Sequence, residues 1–79
     1  MGSHHDESRE LLRVFQRKDV SWRSELVIRH QATEKHFAVE FFKDGAFQFQ
    51  GLFDTRDEAL QWAQQEKAAI ENGAHDGEI

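Results

Sequence analysis

Large apolar residues recur at every second position on both sides of an Asp44-Gly45 pair: Phe37, Val39 and Phe41 before it, Phe47 and Phe49 after it. Two is the side-chain period of a β-strand, and Asp-Gly between two such runs signals a hairpin. Side-chain phase then selects the loop. A two-residue loop at Asp44-Gly45 sets Phe42 against Phe47 and Phe41 against Gln48, which mixes apolar and polar side chains on each face. A three-residue loop, Lys43-Asp44-Gly45 with Gly45 left-handed, sets Phe41 against Phe47 and Val39 against Phe49. All five alternating residues then share one face. The pattern predicts the three-residue loop.

The neighbouring segments are read against this hairpin. Trp22, Leu26 and Ile28 alternate with Arg23, Glu25 and Arg29, which predicts a half-buried strand over 23–30. From Ser8, the residues Leu11, Leu12, Val14 and Phe15 fill one arc of a helical wheel, with Arg9, Glu10, Arg13, Gln16 and Arg17 on the other side. Adjacent Leu11 and Leu12 would point to opposite faces of a strand. Acidic residues at the start and Arg17-Lys18 at the end also suit a helix dipole, so a first helix is expected. A second helix is expected over 56–72. Thr55-Arg56-Asp57-Glu58 forms a capping box, Gly73 is a C-terminal stop, and Ala59, Trp62, Ala63 and Ile70 mark the inner face.

These elements predict an α+β fold of order α-β-β-β-α, a three-stranded antiparallel sheet with two helices on one face. Residues 1–7 are expected to be a flexible leader, its Met-Gly-Ser-His-His start looking like an expression tag; 8–72 a single domain; and 73–79 a disordered tail. The opposite sheet face is left open. It is expected to display Arg23, Val27, Arg29, Phe42, Gln48, Gln50 and Leu52 as a protein-binding surface, with Phe42 as its exposed aromatic anchor.

Seven Phe and two Trp in 79 residues supply enough large apolar side chains for a core, and the absence of Cys excludes a disulfide framework and a thiolate metal site. No apolar run is long enough to span a membrane, so a soluble, cytoplasmic protein with no membrane partner is expected. His30 and His36 flank the stretch 31–35 but fall on opposite strand faces, where they cannot share an ion. Ser8, Ser21, Ser24, Thr33 and Thr55 are read as cap, turn or strand residues, and the isolated glycines form no phosphate loop. No metal, no cofactor and no enzymatic activity are expected. Residues 9–35 carry seven basic and four acidic side chains, whereas 36–79 carry three basic and nine acidic, within a net charge of −5. Acidity of that kind opposes general nucleic-acid binding, which relies on basic side chains replacing counterions.

The α-β-β-β-α order resembles the double-stranded-RNA-binding domain, and Lys35-His36-Phe37-Ala38-Val39-Glu40-Phe41 is similar to that family's second strand. That family grips phosphates with lysines at the start of its second helix, where this chain has Asp54-Thr55-Arg56-Asp57-Glu58. Phe53 to Ala63 looks like the end of the three-strand-plus-helix, AP2-type DNA-binding arms of integrases, which read DNA with the sheet. The function expected first is a small non-catalytic module that binds another protein, or a second copy of itself, through the open face or a strand edge. The alternative is a nucleic-acid-binding domain of either resembling architecture, using Arg23, Arg29 and the basic residues of the first helix.

Overall fold

The computed structural model describes residues 7–31 and 34–74. Among them the elements are β1 (Glu7–Arg17), β2 (Val20–Gln31), β3 (Glu34–Lys43), β4 (Ala46–Phe53) and α1 (Arg56–Glu71). The strands form one antiparallel sheet in the order β1-β2-β3-β4, with α1 on one face. This overturns the expected α-β-β-β-α order and the two helical lids. It also removes the topology on which the resemblance to the double-stranded-RNA-binding domain rested. Of the expected leader only Glu7 is described, as the first residue of β1; of the expected tail, Gly73 and Ala74 are described, and the remainder lies outside the described residues.

The segment read as a first helix is a strand because its partner is β2. Glu7 to Leu11 pair with Arg29 to Glu25, and Arg13 to Arg17 pair with Ser24 to Val20. Leu12 has no partner opposite, so the ladder bulges between Leu11 and Arg13. Leu11 faces away from α1 while Leu12 and Arg13 both line the helix side. One inserted residue had produced an apparent helical arc in a strand. A two-residue turn, Lys18-Asp19 with Lys18 at φ 57, connects β1 to β2.

The second hairpin also departs from expectation. Lys43 pairs with Ala46, so the loop is the two residues Asp44 and Gly45, both left-handed at φ 49 and 87. Positive φ at both central positions is the type I′ turn whose twist matches the strands it joins. Phe42 consequently pairs with Phe47. The register then shifts at Gln48, and Phe41 pairs with Phe49, Val39 with Gly51 and Phe37 with Phe53. Phe47 therefore points away from the core that holds Phe41, and the expected Phe41–Phe47 and Val39–Phe49 pairs do not form. Asp44 ties this turn to β2: its N–H donates to the Ser21 carbonyl at 2.7 Å, and its carboxylate accepts from the Ser21 N–H at 3.0 Å.

The core lies between the sheet and α1, with Leu26, Val39 and Phe41 fully buried under Ala59, Ala63 and Ile70. Phe41 stacks on Phe49 at 4.9 Å, and Trp62 meets both edge-on at 5.7 and 6.0 Å. Small side chains at 59 and 63 let the helix lie close enough for these ring contacts. Thr55 caps it, accepting the Glu58 N–H at 3.2 Å. At the other end Gly73 (φ 89) donates to the Ile70 carbonyl and Ala74 to that of Ala69, a Schellman closure that needs the glycine.

Trp62 and Phe53 rest on the bare backbone of Gly51. A Cβ there would lie 2.9 Å from two Phe53 ring carbons and 3.1 Å from Trp62 Cη2. Rings held by the core cannot yield as flexible tails do. Gly51→Ala is therefore expected to destabilise the fold by about 1–3 kcal/mol in urea denaturation. An unchanged midpoint would show that the rings relax without cost.

Candidate functional site

The face of the sheet turned away from α1 is ordered in rows by strand pairing. At the end near the two tight turns, Val14, Arg23, Phe42 and Phe47 follow one another across all four strands. The next row is Leu11, Glu25, Glu40 and Gln50; then come Arg9, Val27, Ala38 and Leu52; then Glu7, Arg29 and His36.

The first row is apolar with one cation. Phe42 and Phe47 meet edge-on at 6.0 Å, and the Arg23 guanidinium lies 4.2 Å from the Phe42 ring centroid. Its Nε donates to Glu25 at 2.9 Å, which anchors the guanidinium beside the ring.

The middle of the face is an ion-pair lattice. Arg9 Nη1 reaches both Glu25 Oε1 and Glu40 Oε1 at 2.8 Å, and its Nε lies 3.4 Å from Glu7. Arg29 lies 3.5 Å from Glu7 and 3.8 Å from Glu40. Hydrogen bonds that Arg9 donates to Glu40 first and Glu25 second hold its pKa above the ordinary value. Val27 is fully buried and Ala38 nearly so, although neither is beneath the helix. Both sit in rows flanked by the lattice residues.

The residues expected to form a contact surface thus separate. Arg23 and Phe42 belong to the apolar row. Leu52 stands exposed at the β4 edge, and Gln50 lies beside Glu40 in the lattice row. Val27 is buried and Arg29 is committed to carboxylates. Gln48 occupies the β4 bulge, its carboxamide donating to the Ala46 and Phe47 carbonyls at 3.3 Å each. His30 and His36 face opposite sides, and His36 Nε2 is 3.3 Å from Glu34. Phe47, Val14 and Leu11 complete the face and were missed. The signal for Phe47 was the Asp-Gly pair, which favours a two-residue turn over the longer loop.

The basic residues of the supposed first helix do not make one surface. Arg9 faces the lattice, whereas Arg13 faces α1 across the bulge. No family model, curated protein or solved structure matches the chain. The arrangement itself must carry the functional reading.

Because Glu40 is nearly buried and its partner Arg9 half-exposed, their pairing loses less to solvent than an exposed ion pair does. A double-mutant cycle on Arg9 and Glu40 is expected to give a coupling of about 1–2 kcal/mol, against about 0.3–0.5 for the helical Lys67–Glu71 pair. Equal couplings, measured by urea denaturation, would mean that the lattice is only surface decoration.

Proposed function

We propose that this protein is a small non-catalytic interaction module that binds another protein through the sheet face turned away from α1. One observation carries this reading. The exposed large apolar side chains among the described residues are Leu11 (58%), Val14 (62%), Phe47 (52%) and Leu52 (67%), and register puts all four on that face. Large apolar groups left in water on one side of a small domain mark a contact surface.

The composition of the first row fits this role. Aromatic rings and arginine supply most of the binding energy in protein interfaces, the rings by burying much area at little rotamer cost and arginine by a planar fork of several donors. The partner would offer an apolar recess for Phe47 and Val14, with an acceptor for the terminal nitrogens of Arg23. The strand edges are poorer candidates, because β1 and β4 each carry a bulge and Gln48 occupies carbonyls on β4. The lattice also weighs against nucleic acid as the partner. Arg9, Arg23 and Arg29 are already paired with carboxylates, whose charges would repel phosphates.

Phe47→Asp tests this face, because an exposed side chain can be replaced without touching the core. Immobilised wild-type chain is expected to retain a protein from native extract that the Phe47→Asp variant loses, about a 30-fold drop in affinity or more. A Gln61→Asp control on the exposed side of α1 should retain it. Equal retention by all three chains would eliminate the face as the contact. Sedimentation of the purified protein reads self-association, where a dimer abolished by Phe47→Asp would make a second copy the partner. A companion titration with DNA and RNA at low salt is expected to show no saturable binding; binding that weakens steeply with salt would favour the nucleic-acid alternative.

A further inference from the structure

We infer that the cleft between β1 and α1, on the opposite side of the sheet from the proposed contact face, binds a small aliphatic carboxylate. A helix about 10 Å across covers roughly two strands spaced about 4.8 Å apart, so one helix cannot roof four. α1 lies mainly over β3 and β4 and touches β1 less, which leaves a cleft of about 250 Å³ beside it. Leu12, Leu60 and Ala63 make its apolar walls, and Ser24, only 2% exposed, Arg13, Gln64 and Lys67 complete the lining.

Two observations point to an anionic occupant. In a chain of net charge −5, no carboxylate lines this cleft while two cations do. Moreover, Arg9, Arg23, Arg29 and Arg56 all meet glutamates, but Arg13 has no hydrogen-bond or ion-pair partner among the described residues. The β1 bulge places Arg13 on this side, next to Leu12 instead of across the sheet from it. An unpaired guanidinium beside a half-open apolar slot matches a carboxylate on an alkyl chain. The planar fork takes both oxygens, and the methylenes run along Leu12, Leu60 and Ala63. Lys67 is held by Glu71 at 2.7 Å, which offsets its charge, so Arg13 supplies the direct contact. The volume is below the roughly 300–1,000 Å³ of pockets for drug-sized ligands, which restricts the chain to about eight carbons or fewer.

The test is an amide NMR titration of the full chain with butanoate, hexanoate, octanoate and 1-octanol. Octanoate is expected to shift the amides of Leu12, Ser24 and Ala63 saturably, and affinity to rise about fourfold per methylene between butanoate and hexanoate. Replacing the carboxylate by the hydroxyl of 1-octanol, or Arg13 by Gln, should each weaken binding about tenfold, with Arg13→Lys recovering part of the loss. Arg13 is exposed, and unchanged amide dispersion would confirm that the variants fold; if Arg13→Gln does not, the octanoate and octanol comparison on the wild type decides. No saturation by about 10 mM, equal binding of octanol, or shifts confined to the open face would each overturn the inference. Phe47→Asp must leave octanoate binding unchanged, so the cleft and the contact face stand or fall separately.

Discussion

The left-handed backbone at Asp44 and Gly45 decides which rings become core and which become surface. With both residues at positive φ the turn closes in two residues, and Phe42 and Phe47 become cross-strand neighbours. Continued unbroken, that register would set Phe41 against Gln48 and leave the sheet's inner face half polar. Gln48 absorbs the difference as a bulge, after which Phe49, Gly51 and Phe53 fall in phase with Phe41, Val39 and Phe37. The apolar alternation is satisfied, but with Phe47 on the other side. Turn chemistry and core packing are both obeyed, and the one residue that serves neither is the exposed ring.

One sheet face is thus covered by a helix and the other by paired charges. Val27 and Ala38 are buried on the face where a lattice of arginine and glutamate pairs its heads, and long side chains of this kind cover apolar surface with their aliphatic stems while their heads neutralise one another. A lattice that satisfies itself has little charge left for a phosphate backbone. Its margins are a different matter. Val14, Phe47, Leu11 and Leu52 stand where the carboxylates and guanidinium groups end, and nothing among the described residues covers them.

How far this was legible in the sequence differs from element to element. Strands β2 and β3 and helix α1 followed from alternation, the Thr55 cap and Gly73, because each signal is local and uninterrupted. Strand β1 did not. Its inward-facing residues include Ser8, Glu10 and Arg13 beside Leu12 and Phe15, so its inner face is mixed, and the extra residue at Leu12 erased its period of two. What makes it a strand is ten residues of pairing with β2, a long-range interaction that no window along β1 contains. Arg23 and Phe42 were read on the open face from phase alone. Phe47 was lost through a loop chosen on apolar phase over the Asp-Gly turn preference, and Val27 was placed correctly by face while its burial, set by the neighbouring arginines, was not visible.

Both interruptions of alternation lie on edge strands, where a bulge disturbs only one ladder and the sheet tolerates it best. Each also re-aims a side chain. The β4 bulge lets Phe47 turn outward without costing the core Phe49, and the β1 bulge sends Arg13 to the helix side while Val14 returns to the open face. A sheet of strict alternation would have put Phe47 beneath α1 and kept Arg13 with Arg9 and Leu11, leaving the open face without its outer ring and the cleft without its guanidinium. The two proposed sites therefore share an origin in backbone irregularity, although they lie on opposite sides of the sheet and use unrelated chemistry.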